Sequence, residues 1–184
     1  DVYKRQAQIN PDNPFSKHRS ARHPDLTFSK PAEEVNTEYL ETHAKTIINK
    51  VDSPDIGLEY SMNPYQGCEH GCVYCYARNT HPYWGYSAGI DFESKILVKR
   101  DAPQLLTKKL SNPNWVVAPI MLSGNTDCYQ PVEAKLKITR QLLEVLERFH
   151  HPVGVITKSA LILRDKDILS RMAEKNLVSV AISI

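Results

Sequence analysis

The chain has 184 residues, 41% of them hydrophobic and 24% charged, with 23 Lys+Arg against 21 Asp+Glu and a formal net charge of +2. That length supports one domain with a core, and that charge balance gives no argument for an anionic surface or a polyanion as partner. No run approaches the roughly 18 apolar residues of a membrane-spanning helix, so no crossing of a bilayer is predicted.

The first six residues, Asp-Val-Tyr-Lys-Arg-Gln, read as a translated library adaptor and are set aside. With no initiating Met, and with an end inside the apolar run Leu177–Ile184, the sequence is expected to be a fragment. Residues 1–57 are predicted to be an extended N-terminal arm, since 7–36 carry Pro11, Pro14, Pro24 and Pro31 among polar residues without apolar periodicity. Within it, Lys17–His23 is a basic cluster that could meet phosphate or solvent, and Ala44–Val51 could form a short strand ending at the turn Ser53-Pro54-Asp55. The rest, 58–184, is expected to fold as a core domain.

Leu58–Met62 alternates as a strand, and Asn63-Pro64 breaks it. The loop that follows carries Cys68, Cys72 and Cys75 at the spacing C-x3-C-x2-C, so three thiolates can converge on one metal centre. Structural zinc sites take four protein ligands, and thiolates also hold iron–sulfur clusters. Three ligands leave one position open. It is either closed, by Cys128, His70 or His81 in a zinc site, or left for a small molecule. Four cysteines, three of them clustered, do not read as a disulfide framework, and with no apolar leader near the start a reducing cytoplasm is expected.

Beyond the loop, Tyr76–Thr80 can start a helix that His81-Pro82 stops, and Tyr83–Tyr86 reads as a loop. Lys95–Lys99 is a short apolar run. Ala102–Leu110 reads as a helix with Pro103 in its first turn. Trp115–Leu122 reads as a buried parallel strand ending in the polar loop Ser123–Asp127. Glu133–His150 is the clearest helix, with Ile138, Leu142, Val145, Leu146 and Phe149 on one stripe. Val153–Thr157 is a strand running into Lys158-Ser159, Asp165–Lys175 a helix with Asp165 as its cap, and Leu177–Ile184 a further strand. Strands and helices in alternation predict an α/β fold of parallel units, whose polar loops after the strand ends gather on one rim.

Cys68, Cys72, Tyr74 and Cys75 reproduce C-x3-C-x-aromatic-C, and on these residues the chain resembles the radical S-adenosylmethionine superfamily. The resemblance implies a [4Fe–4S] cluster on the three cysteines, whose free iron chelates the amino and carboxylate groups of S-adenosylmethionine. The reduced cluster then cleaves the sulfonium to methionine and a 5′-deoxyadenosyl radical. It implies a partial (β/α) barrel, of which this chain carries about four strands, and an electron donor such as flavodoxin or ferredoxin. Tyr74 would lie against the adenine. The loop after the second strand would hold the methionyl amino group. Ser123-Gly124-Asn125-Thr126-Asp127 departs from the family's Gly-Gly-Glu-like motif there, although Gly124 permits the turn and Asn125, Thr126 or Asp127 supplies acceptors. Lys158 would pair with the methionyl carboxylate, and Ser183 would bond ribose or carboxylate.

Thr126-Asp127 and Thr157-Lys158 are similar to motifs of spore photoproduct lyase, and Asp127-Cys128-Tyr129-Gln130-Pro131 to the Asp-x-Tyr-Gln-Pro of a broader lyase-like group. A lyase-like reaction on an unassigned substrate follows, with DNA-lesion repair as one alternative and a non-catalytic zinc or iron–sulfur module as another. Cys128 would be a hydrogen-atom donor or a small buried hydrophobe. In the lyase the donor cysteine precedes the Asp, where this chain has Gly124.

Overall fold

The structure is a computed structural model that describes residues 10–11, 13–15, 36–52 and 57–183. The adaptor-like residues 1–6, the basic cluster Lys17–His23, most of the expected arm, the turn at Ser53–Asp55 and Ile184 lie outside the described residues. The chain divides into two compact units, Asp1–Tyr39 with Gly67–Ile96, and Leu40–Gln66 with Leu97–Ile184.

In chain order the elements are β1 (Glu38–Glu41), β2 (Ile48–Lys50), β3 (Tyr60–Met62), β4 (Tyr65–Gln66), a 3-10 helix (Tyr76–Trp84), α1 (Ile90–Ser94), β5 (Lys95–Val98), α2 (Ala102–Leu110), β6 (Ile120–Leu122), α3 (Glu133–Leu136), α4 (Ile138–Arg148), β7 (Val153–Thr157), a second 3-10 helix (Ala160–Asp165), α5 (Lys166–Glu174) and β8 (Val178–Ile182). They form one sheet of order β1-β5-β4 and a five-stranded sheet of order β2-β3-β6-β7-β8. The fold is mixed α/β, and no helix of the described residues is long and apolar enough to cross a membrane.

In the larger sheet β3, β6, β7 and β8 run parallel, with Met62 opposite Leu122, Leu122 opposite Val155, and Val155 opposite Val180. β2 joins antiparallel at the edge, with Ile48 opposite Met62. Alternate residues Ile120, Leu122, Val153 and Val155 are buried, as a half-covered strand requires. Helix α4 buries Ile138, Leu142, Leu143, Val145 and Leu146. Each such side chain contributes about 1.5–3 kcal/mol, against at most about 0.7 kcal/mol per residue from helix propensity, so packing decides where α4 lies.

Several boundaries differ from the sequence reading. The strand expected over Trp115–Leu122 is only Ile120–Leu122, and Val116 and Val117 are 75% and 62% exposed. Pro119 cannot donate to a ladder, which shortens the paired stretch. The strand expected over Ala44–Val51 is only Ile48–Lys50. The cysteine loop does not follow β3 directly, because the chain pairs again as β4, with Tyr65 opposite Val98 and Gln66 opposite Leu97. The first 3-10 helix runs through Pro82 to Trp84 and stops at Gly85, whose φ of 85° only glycine adopts at no cost. Asp165 sits at the N-cap of α5 but makes no side-chain cap bond, and its carboxylate goes to Arg140 and Arg164.

The expected helix 133–150 breaks at Lys137, which turns left-handed (φ 54°). The break has a cause. Glu133 is fully buried, and folding α3 back lets its carboxylate accept the N–H groups of Thr139 (3.0 Å) and Arg140 (3.4 Å) in the first turn of α4. A carboxylate at a helix N-terminus satisfies orphan donors and favours the dipole. The same carboxylate accepts the Tyr65 hydroxyl at 2.5 Å and pairs with Arg164 at 2.7 Å. Arg164 also binds the fully buried Asp165, as does Arg140, which reaches on to Asp167. Burial, and then the charge on Glu133, push the Tyr65 hydroxyl far above its ordinary pKa, so Tyr65 remains a donor. Replacing Glu133 by Gln puts one amide oxygen and an NH2 group where a carboxylate answers Tyr65, two amides and Arg164, while Asp165 still pairs with Arg164. We expect a loss of about 1–3 kcal/mol in urea unfolding, whereas Glu144→Gln on the exposed face of α4 should cost under about 0.5 kcal/mol.

Candidate functional site

The cysteine loop belongs to the smaller unit, and buried groups fix its backbone. Gly67 has φ 80°, and a Cβ there would lie 2.9 Å from the carbonyl oxygens of both Phe92 and Lys95 and 3.1 Å from His81 Cε1. No other residue fits. Cys68 N–H donates to the Phe92 carbonyl at 2.8 Å, tying the loop to α1. Turns follow in which the carbonyls of Cys68, Cys72 and Cys75 accept the N–H groups of Gly71, Cys75 and Arg78.

Arg78 is the clamp of this loop. Its Nε and Nη2 donate to the Cys72 carbonyl at 3.1 and 3.0 Å, Nη1 donates to the carbonyls of Ala88 and Gly89, and Nη2 pairs closely with the fully buried Glu93. The guanidinium also lies 5.3 Å from the centre of the Phe92 ring. A planar five-donor fork can hold three carbonyls and a carboxylate at once, which a lysine cannot. Sequence reading missed both residues; an Arg three positions past the last cysteine is a weak signal, and nothing in the sequence marks Glu93 as its partner. Residues described from the expected arm also dock here. Asn10 and Asp91 exchange two hydrogen bonds, Ser87 Oγ donates to the Pro11 carbonyl, and Phe15 stacks on Tyr83 at 4.9 Å.

The four cysteines are thiols. Cys68 is buried against Ala77 and Phe92, whereas Cys72 and Cys75 are half-buried. Burial pushes the Cys75 thiol up, the Ala77 amide offsets part of this, and a charge on Cys72 raises it further. The two sulfurs therefore feel each other. Among the described residues, no three His, Cys, Asp or Glu side chains are grouped so as to hold a metal ion, and neither His70 nor His81 completes such a group. His81 instead packs beneath Gly67 between Tyr86 and Phe92, and burial lowers its pKa to about 4. Tyr74 is 75% exposed, and Val73, Tyr76 and Tyr83 are exposed as well.

The polar loops of the larger unit lie at the carboxyl ends of β6, β7 and β8. Asp127 joins two of them. Its Oδ1 accepts the Thr157 hydroxyl at 2.7 Å and the Tyr129 N–H at 2.8 Å, and its Oδ2 accepts the Lys158 N–H at 3.0 Å. Ser183 N–H donates to the Thr157 carbonyl at 2.9 Å, which brings the exposed Ser183 to the same edge. Thr126 is buried, with its hydroxyl on the Tyr65 carbonyl at 2.6 Å, while Gly124, Asn125 and Lys158 are half-buried. Cys128 is fully buried, its N–H bound to Ser123 Oγ and its carbonyl to the Thr139 hydroxyl, and burial pushes its thiol well up. The run Asp127–Glu133 thus reads as scaffold: Asp127 ties two loops, Tyr129 and Gln130 are buried, and Glu133 caps α4.

The chain is 33% identical over 147 residues to an uncharacterized protein of Mycobacterium tuberculosis, a match covering 79% of this chain and 43% of that protein, and the same holds for an uncharacterized protein of Mycobacterium bovis. An uncharacterized protein of Methanocaldococcus jannaschii is 32% identical over 136 residues, 74% of this chain and 48% of that protein. The chain spans a little under half the length of these relatives. No family model matches it, and no solved structure matches it.

Two measurements check this site. His81 is neutral in the fold down to about pH 4, while an unfolded histidine takes up a proton near 6.5. The unfolded state then binds the extra proton, so stability falls as pH drops from about 6.5 to about 4 and levels off below. Replacing His81 by Phe should flatten that part of a stability-against-pH curve. Asp127→Ala removes the acceptor of three hydrogen bonds, and a loss of about 2–3 kcal/mol is expected in denaturant titration.

Proposed function

We propose that the chain is the cluster- and cofactor-binding part of a radical S-adenosylmethionine enzyme, lyase-like in its chemistry. The observation that carries the reading is the three-thiol loop, with its C-x3-C-x-aromatic-C spacing and a backbone held by Gly67 and the buried Arg78–Glu93 pair. The donor type suits the group: three soft sulfur ligands lie within eight residues of one loop, and Cys72 and Cys75 are half-exposed.

When bound, a [4Fe–4S] cluster supplies an electron to the sulfonium of S-adenosylmethionine, giving methionine and a 5′-deoxyadenosyl radical. Cys68, Cys72 and Cys75 are the residues that would hold the cluster. Arg78 would hold the Cys72 carbonyl in place, and the exposed Tyr74 ring offers a surface for the adenine. The loop 123–127 offers acceptors for the methionyl ammonium, Lys158 a cation for the carboxylate, and Ser183 a hydroxyl beside it. We read the four parallel strands β3, β6, β7 and β8 as the first part of a (β/α) barrel, and a reduced flavodoxin or ferredoxin as the electron source.

The test is anaerobic reconstitution with iron and sulfide. We expect a brown protein holding about four irons per chain, loss of the chromophore in Cys75→Ala, an unchanged iron content in Cys128→Ala, and 5′-deoxyadenosine released when dithionite and S-adenosylmethionine are added. A colourless protein that takes up one zinc and no iron overturns the reading in favour of a structural zinc module.

A further inference from the structure

We propose that Asn63 is the positioning residue of the loop Ser123–Asp127, setting the backbone that meets the cofactor; this rests on the reading of that loop given under the proposed function. Asn63 lies between β3 and β4 and is 4% exposed. Its Oδ1 accepts two consecutive backbone N–H groups, Asn125 at 3.0 Å and Thr126 at 3.4 Å. Because each peptide unit is planar, two neighbouring N–H groups aimed at one oxygen fix the planes of both peptides in the middle of the loop. The groups that the loop presents to a ligand then have one orientation.

Asn63 is itself held from behind. Lys99, 5% exposed on the turn between β5 and α2, donates its Nζ to the Asn63 carbonyl at 3.0 Å and its N–H to the Pro64 carbonyl at 3.1 Å. A buried ammonium on the backbone carbonyl of Asn63 prevents the residue from swinging away. Two further bonds bring the loop to the same segment, Ser123 N–H to the Met62 carbonyl at 3.2 Å and the Thr126 hydroxyl to the Tyr65 carbonyl. The Asn63 side chain adds to these the grip on the backbone amides of Asn125 and Thr126. An asparagine at a strand break otherwise reads as turn chemistry alone.

The experiment compares Asn63→Ala with Asn63→Asp, whose carboxylate can still accept both amides. Amide hydrogen exchange of the 123–127 peptide is read without any cofactor. We expect exchange about tenfold faster in Asn63→Ala and within about threefold of the parent in Asn63→Asp. After reconstitution, both variants should hold as much iron as the parent. In equilibrium dialysis Asn63→Ala should bind S-adenosylmethionine about tenfold more weakly, and Asn63→Asp within about threefold. Should Asn63→Ala not fold, Asn63→Ser takes its place, since its shorter hydroxyl cannot reach both amides. Parental exchange in Asn63→Ala, equal weakening in both variants, or unchanged affinity despite faster exchange overturns the proposal. If the reconstituted parent binds no S-adenosylmethionine while the exchange pattern appears as expected, the cofactor reading falls and the positioning of the loop by Asn63 stands.

Discussion

A carboxylate taken out of water must be answered on every side, and Glu133 is answered by three separate parts of the larger unit: the hydroxyl of Tyr65, two amides at the start of α4, and the guanidinium of Arg164. Those partners are far apart in sequence. Satisfying them together fixes where α3 turns back, where α4 begins and where the 3-10 helix after β7 lies. An isolated buried charge is costly enough that the surrounding backbone bends to suit it, as the left-handed Lys137 shows. The neighbouring Asp165, Arg140 and Asp167 extend the same network to the surface, so its inner charges are paired and its outer ones solvated.

This network lies behind a rim whose loops are tied to one another. Asp127 joins the loop after β6 to the end of β7, and the Thr157 carbonyl holds the segment after β8. In the smaller unit Arg78 does for the cysteine loop what Asp127 does for the rim, each binding main-chain groups of its loops as well as one side chain. Both devices share one logic. A loop held by its peptide groups keeps its course whatever its side chains do.

How much of this could be read beforehand depended on the range of the interaction. The four parallel strands and the helices α2, α4 and α5 were legible, because apolar spacing along the chain is a local signal. Strand length was less so: Trp115–Leu122 looks continuous in hydrophobicity, yet Pro119 withholds a donor and leaves Val116 and Val117 in solvent. The break at Lys137 was invisible, since nothing in an amphipathic stripe announces a glutamate that must turn back to cap the next helix. The cysteine spacing was plain, but Arg78–Glu93, Asn63–Asn125 and Tyr65–Glu133 join residues that sequence distance separates. Docking of Asn10 and Phe15 was also missed, because proline-rich polar segments carry no periodicity even when their side chains find partners.

Ser123 closes β6 with φ 72°, a left-handed angle that a side chain adopts only at some cost. Glycine would sit there at ease, but glycine has no hydroxyl to receive the Cys128 amide, which Ser123 Oγ does at 2.6 Å. The one hydroxyl thus offsets the cost of its own residue's angle, and a glycine there would trade that small penalty for a slacker bend.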